Sequence, residues 1–256
     1  TKFDIGVDQQ DLRDGVGAER DDRGLALGEV LRALLVGDAG VRSGVGEELG
    51  FLLDCGLPQF LERGLALLIC ATDLFLERGY DAVSLDDIVN HAGGSKTSIY
   101  KYFGNKEGLF TAICDYRREV FFKGVCVPYI PEKIDLKNYL NQTLIRFYQH
   151  IIKPENIAFM RLFTEQTQKD IQLAHYFYDQ CALNIQNTIA FALGQANDLN
   201  AIYCSNPHFS AMMYFGILRE VEWRLLMGLE VSANDAEITD YINYSVDLFL
   251  KAHQKV

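Results

Sequence analysis

The sequence predicts an all-α chain: a small three-helix head containing a helix-turn-helix, then a larger helical bundle. Three observations predict it. From Pro58 onward apolar residues recur at the three- and four-residue spacings of one helix face. Glycines, prolines and short polar residues punctuate those stripes where helices start and stop. Two short helical stretches near residues 84–103 are joined by a four-residue, glycine-containing turn, which is the spacing of a helix-turn-helix.

Taken in order, Pro58 suits a helix start. Phe60–Arg78 carries the stripe Leu61, Leu65, Leu68, Ile69, Thr72, Leu74 and Phe75, and Gly79-Tyr80 stops it. Ser84-Leu85-Asp86-Asp87 reads as a capping box with Asp87 in place of the usual Glu, opening a short helix to about His91. Ala92-Gly93-Gly94 makes the turn, and Ser95 is placed to cap Lys96–Phe103. Gly104-Asn105 ends that helix, and Lys106 begins another to about Lys123. Beyond a Pro128–Pro131 linker, helices are expected over Asp135–Ile152, from Pro154 to about Lys169, over Ile171–Ala196 with a bend near Ala174–Tyr178, over Pro207–Leu229 and over Asn234–Gln254. The predicted organisation is an extension 1–57, a head 58–123 and a bundle 124–256.

The extension differs from the rest in composition. Residues 1–57 hold 11 of the 21 glycines and 12 acidic against six basic side chains. Leu25–Val36 could form one amphipathic helix, but glycines every few residues cost helix stability elsewhere. The segment reads as a poorly ordered appendage or as foreign to the domain, and its acidic sign argues against a DNA-reaching arm.

With 256 residues, about half of them apolar, the chain is long enough for one large domain or two modest ones. No apolar run approaches the ~18–20 residues that cross a bilayer, and no signal peptide opens the sequence, so the cytoplasm is the expected compartment. Cys55, Cys70, Cys114, Cys126, Cys181 and Cys204 form no CxxC pair and no metal-ligand spacing with histidine; they read as buried, reduced thiols, and no cofactor is expected. GxSxG, P-loop, HExxH and Rossmann glycine patterns are absent, so an enzyme is not expected. Gly93-Gly94-Ser95-Lys96-Thr97-Ser98 lacks the first P-loop glycine and any preceding strand.

The net charge of −11 does not suggest a nucleic-acid binder, but docking depends on the local field. Residues 95–106 contain Lys96, Lys101 and Lys106 and no acid. Within Lys96–Phe103 only Ile99 and Phe103 form an apolar i, i+4 pair; the remaining positions are expected to face outward. Such a helix fits the ~12 Å major groove with its N-terminal residues toward base edges, while its first amides and the Ser95 hydroxyl suit phosphate.

Leu74-Phe75-Leu76-Glu77-Arg78-Gly79-Tyr80, then Ser84-Leu85-Asp86-Asp87-Ile88-Val89, then Ala92 through Phe103, then Asn105-Lys106-Glu107-Gly108-Leu109-Phe110 closely resemble the N-terminal domain of TetR/AcrR-type regulators. The family pattern is LFxExGYxxTS, IAxxAGVSxGxxYxYF and KExL. The resemblance covers roughly residues 60–110. It implies that Lys96, Thr97 and Ser98 lie at the operator-facing start of the recognition helix. It further implies that Tyr100 and Tyr102 touch DNA backbone and base methyls, and that Lys106 pairs with a phosphate. Ser84, Ser95 and Lys101 complete the expected DNA-contacting set. Gly94 departs from the family's valine and is expected to loosen the turn.

Phe159-Met160-Arg161-Leu162-Phe163-Thr164-Glu165 and Leu173-Ala174-His175-Tyr176-Phe177-Tyr178 look like the AefR-type C-terminal domain found in some members. The aromatic content of this region suits a small apolar or aromatic ligand between helices, or simply a core. Phe147, Phe159, Arg161, Phe163, Glu165, His175, Phe177 and Gln186 are the candidate ligand-binding residues, whereas His150 and His208 are expected to cap or solvate. Pro207–Leu229 and the final helix are apolar on more than one face, which predicts a homodimer through the last two helices. The implied function is a ligand-responsive, operator-binding repressor in the cytoplasm, associated with the nucleoid and free of membrane. The alternative is a sensor or interaction protein of the same fold that no longer binds DNA specifically.

Overall fold

The computed structural model describes residues 59–231 and 234–254. Eleven α-helices are present among them. They are α1 (Gln59–Arg78), α2 (Leu85–Ala92), α3 (Lys96–Phe103), α4 (Lys106–Val125), α5 (Leu136–Ile151), α6 (Pro154–Thr167), α7 (Ile171–Phe177), α8 (Leu183–Asp198), α9 (Pro207–Gly216), α10 (Arg219–Met227) and α11 (Asp235–Ala252). A π-helical turn, Tyr178–Ala182, joins α7 to α8. No strand occurs among the described residues. The extension 1–57 and the amphipathic stretch Leu25–Val36 lie outside them.

The predicted stop and start signals operate locally. Gly79, at φ +80°, terminates α1 while its N–H donates to the Phe75 carbonyl. Ser84 and Asp87 form the capping box reciprocally: the Asp87 N–H donates to Ser84 Oγ, and the Ser84 N–H donates to the Asp87 carboxylate at 2.8 Å. Ser95 sits at the start of α3 in extended conformation, but its side chain makes no capping bond; its hydroxyl lies 3.4 Å from Ser98 Oγ instead. Asn105 and Asn234 cap α4 and α11, the latter in a second capping box with Glu237. At Gly108, a Cβ would collide with the Phe103 carbonyl oxygen, so the close crossing of α3 onto α4 requires glycine there.

Two apolar cores result. The first gathers α1, α2, α3 and the first half of α4, with Leu68, Ile88, Ile99 and Leu109 fully buried. Phe159, Leu162 and Phe163 of α6 join it, so the head is packed onto the bundle rather than tethered by a linker. Truncating any of the fully buried aliphatics to alanine would cost about 2–5 kcal/mol. The second core is built from the end of α4, α5, α8, α9 and α11. Tyr214 is wholly buried in it, its hydroxyl donating to the Leu140 carbonyl at 2.6 Å. α4 therefore belongs to both cores, and at ~1.5 Å per residue its 20 residues make a rod about 30 Å long.

Two expectations need correction. The single helix over Pro207–Leu229 is two helices, α9 and α10, broken at Ile217-Leu218. The break exposes the Ile217 carbonyl, which the Tyr241 hydroxyl of α11 satisfies at 2.8 Å. The bend expected near Ala174–Tyr178 falls later, in the π turn, where the Leu183 N–H reaches back to the Tyr178 carbonyl.

Candidate nucleic-acid interface and effector cavity

α3 is held by its buried side and offers the other to solvent. Ile99 is fully buried and Tyr102 is 6% exposed, whereas Lys96, Thr97, Tyr100 and Lys101 are exposed. Those four fall at i, i+1, i+4 and i+5, one continuous helix face. Tyr102 thus corrects the expectation of an outward aromatic: its ring lies in the head core beside Phe103, and of the two tyrosines only Tyr100 is exposed. Ser98 is half-buried. Ser84 is exposed at the start of α2, where its hydroxyl donates to Asp87, and Ser95 is exposed at the start of α3.

Lys96 and Lys106 engage partners within the head. Lys96 pairs with Asp86 of α2 at 2.8 Å, across an exposed surface. Lys106 points back into the head instead of outward. Its Nζ donates to the Tyr80 carbonyl at 2.6 Å and lies 4.1 Å from the Tyr80 ring centroid and 5.7 Å from that of Phe75. Partial burial pulls its pKa down, against the nearby Asp81, Glu107 and Asp87. The Gly93-Gly94 turn uses left-handed backbone at both positions, φ +71° and +134°. A Cβ on Gly94 would meet nothing nearer than Arg63 Nε at 3.9 Å, so backbone conformation, not space, asks for glycine.

Behind the head lies a cavity of about 280 Å³. Its wall is mostly aromatic and aliphatic, with Phe121 of α4, Phe147 of α5, Phe159 of α6 and Phe215 of α9. The π turn brings Cys181 to it, and α8 adds Ile185 and Gln186. π turns inside helices recur at functional sites because the extra residue bulges the wall. Of the residues singled out in the sequence, Phe147, Phe159, Phe177 and Gln186 line this cavity. The others do not. Phe163 stands behind the wall, its ring 4.2 Å from that of Phe177. Arg161 donates to the Leu225 and Leu226 carbonyls at the end of α10, acting as a helix cap. Glu165 pairs with Lys169 at the surface, and His175 is exposed.

Apart from Gln186, the polar part of the wall was not legible from sequence. Arg117, at 8% exposure, lies on α4 with its Nη2 donating to the Glu155 carbonyl and to Asn156 Oδ1, both at 2.9 Å. Its guanidinium stacks on Phe159 at 4.4 Å. Asn156 in turn donates to the His150 carbonyl. His150 was expected to cap or solvate; instead its ring stacks edge-on against Phe121 at 4.9 Å and lines the cavity. Burial first, then Lys153 and Arg117, push its pKa down to about 4, so the ring is neutral at pH 7. Two further cations in the wall are paired: Arg118 with Asp115 and Glu119, and Arg219 with Glu222. The five cysteines among the described residues are free thiols, and burial raises those of Cys126 and Cys181 to about 12 and about 11, consistent with inert packing roles.

A third surface is apolar and exposed. Phe209, Met212 and Met213 stand outward on α9, and Tyr241, Tyr244 and Leu248 on α11. The two helices are joined at one end by Tyr241 to Ile217. At the other, Ser210 Oγ lies 2.8 Å from His253 Nε2, while His253 Nδ1 faces the Phe249 carbonyl at 2.7 Å. No helix among the described residues is long and apolar enough to cross a membrane.

Comparison with known proteins matches residues 67–113 to the family described as bacterial regulatory proteins, tetR family. Residues 138–255 match the AefR-like transcriptional repressor, C-terminal domain. The HTH-type transcriptional activator FasR of Mycolicibacterium smegmatis is 38% identical over 69 residues, 27% of this chain and 31% of that protein. The HTH-type transcriptional repressor ComR of Escherichia coli is 43% identical over 60 residues, 23% of this chain and 28% of that protein. The chain thus spans under a third of the length of these two relatives. A crystal structure of a TetR-family transcriptional regulator from Mesorhizobium loti superposes with a TM-score of 0.68 at 21% identity, covering 78% of this chain and all of that one, and shows the shared fold.

Proposed function

The chain belongs to the TetR family of bacterial regulatory proteins, and from that premise we propose that it is a homodimeric repressor that binds a palindromic operator and leaves it when a small effector fills the cavity. The observation that carries the DNA-binding half is the face of α3: Lys96, Thr97, Tyr100 and Lys101 stand outward on a helix anchored by Ile99 and Tyr102. A helix so held presents hydrogen-bond donors and one aromatic to a major groove.

A second copy is the proposed occupant of the α9 and α11 face. The exposed apolar residues there follow i, i+3, i+4 spacing on α9 and i, i+3, i+7 on α11, and a twofold axis lets the same patch cover itself. Twofold symmetry sets two α3 helices about 34–36 Å apart, or a small multiple of that, over a palindrome.

The coupling runs through α4. The same helix starts beside α3, capped by Asn105, and carries Arg117 and Phe121 into the cavity wall. A small apolar or aromatic effector that fits the cavity better in one setting of α4 shifts the dimer toward that setting. Operator affinity falls by the differential binding free energy. The cytoplasm, at the nucleoid, is the compartment in which such a protein meets its site.

Selection from random-sequence duplex over several rounds tests the reading, with the native chain and with Thr97→Ala/Tyr100→Ala. Enrichment of a palindrome by the native chain, abolished in the double variant, is the expected result. A folded dimer that enriches nothing would refute it. The competing reading, a sensor that no longer holds DNA, draws on the internal engagement of Lys96 and Lys106.

A further inference from the structure

We infer that the cavity takes an organic anion: a small apolar or aromatic body bearing one acidic head group, seated against Arg117 of α4. This deepens the effector role proposed above and rests on it.

Arg117 lines the cavity and is nine-tenths buried, yet among the described residues no carboxylate lies in ion-pair range of it. Its recorded partners, the Glu155 carbonyl and Asn156 Oδ1, are neutral and both engage Nη2. Nη1 is buried and has no hydrogen-bond partner. Among the described residues, no other buried side-chain atom without a partner belongs to the cavity wall. Desolvation pulls the guanidinium down to about 10, which leaves it charged at neutral pH. A buried charge that lacks a counter-ion is costly, and an anion that supplies one gains what the apo protein lacks.

The surroundings favour an acid over a dipolar or cationic guest. Arg118 and Arg219 are already matched by Asp115, Glu119 and Glu222, so they neither compete for the guest nor demand a second acid. The carboxylates of Glu155 on α6 and Asp73 on α1 act on Arg117 only from beyond ion-pair range, and Asp73 is exposed to water. Beside Arg117, the neutral His150 ring has no hydrogen bond among the described residues, and its N–H can donate to the same head group. Phe121, Phe147 and Phe215 then cover the body. At about 280 Å³ the space is at the small end of ligand pockets, which run roughly 300–1,000 Å³, so the body is of up to about three rings or a short chain.

The experiment uses two fluorescent probes that share a skeleton and differ in charge, 1-anilinonaphthalene-8-sulfonate and N-phenyl-1-naphthylamine, titrated into the full chain. The anion is expected to bind at least about tenfold more tightly than the neutral probe, the scale of one charge-assisted bond. In Arg117→Met that preference disappears while the neutral probe still binds; in Arg117→Lys part of it returns. Ile185→Trp, which fills the cavity, should weaken both probes. Displacement by 2-naphthoate and 2-naphthamide repeats the comparison in native protein, so the test survives an Arg117→Met chain that fails to fold. Equal affinities for acid and amide in the native protein, or a preference unchanged by Arg117→Met, would overturn the inference. Duplex binding is measured separately. Lost probe selectivity with intact operator binding defeats the anion reading alone, and intact selectivity without operator binding defeats the regulator reading alone.

Discussion

Substituting Lys106 separates two roles that one residue can play. A lysine whose task is to meet phosphate contributes nothing to the stability of the DNA-free protein. Here its Nζ donates to the Tyr80 carbonyl at 2.6 Å and sits 4.1 Å from the Tyr80 ring centroid. A hydrogen bond from a charged donor is worth about 1.5–3 kcal/mol when buried, and the lower end applies because this one is half-buried. The aromatic contact adds about 0.5–1 kcal/mol. Lys106→Met, which keeps the apolar stem, should therefore destabilise the DNA-free protein by about 2 kcal/mol. At roughly 2–4 °C per kcal/mol for a domain of this size, Tm should fall by about 4–8 °C. Thermal unfolding by circular dichroism without DNA reads it. A Tm unchanged within a degree would refute the packing argument and return Lys106 to a purely phosphate-facing role.

His150 makes the pH profile of stability informative. Its pKa is pushed from an ordinary 6.5 down to about 4, so between those values the unfolded chain binds a proton that the folded chain refuses. Its stabilising contribution is complete above about pH 6.5 and is lost as pH falls toward about 4, amounting to about 3 kcal/mol; urea titrations of native and His150→Asn protein should diverge in slope across that window. Glu222 and Asp73, carboxylates raised mainly by burial, act in the opposite sense, so only the difference between the two proteins is diagnostic. Gly94→Ala, at φ +134°, should cost about 1–2 kcal/mol in chemical denaturation, and a gain in stability would contradict the turn geometry. Met213→Glu with Tyr244→Glu should convert a dimer to a folded monomer in sedimentation; an unchanged dimer would move the interface off α9 and α11.

The head was legible because its signals are local. Ser84 and Asp87 sit three residues apart, Gly79 follows the last turn of α1, and Ile99 with Phe103 marks the inner side of α3; each is a short-range instruction that backbone geometry executes. Tyr102 was misread because it falls beside that stripe, and only the packing of α3 against its neighbours decides which aromatic turns inward. The internal contact of Lys106 was hidden for a similar reason: its partner, the Tyr80 carbonyl, is 26 residues away in sequence. The cavity depends still more on tertiary placement. Arg117, Asn156 and His150 come from three helices, and no spacing along the chain reports that they converge. Arg161 looked like a ligand-orienting group for lack of any sign that the end of α10 would need its hydrogen bonds. The break at Ile217-Leu218 was hidden by continuous hydrophobicity, which a helix buried on two faces and two consecutive helices share.

The central claim, that α3 reads a duplex, is tested most directly by measuring affinity for the selected palindrome against salt, for native protein and for Lys101→Ala. If α3 docks as proposed, log K falls linearly with log salt concentration, and loss of the Lys101 charge reduces the slope by about 1. Affinity that ignores salt, or a Lys101→Ala slope equal to the native one together with equal affinity for scrambled duplex, would contradict it.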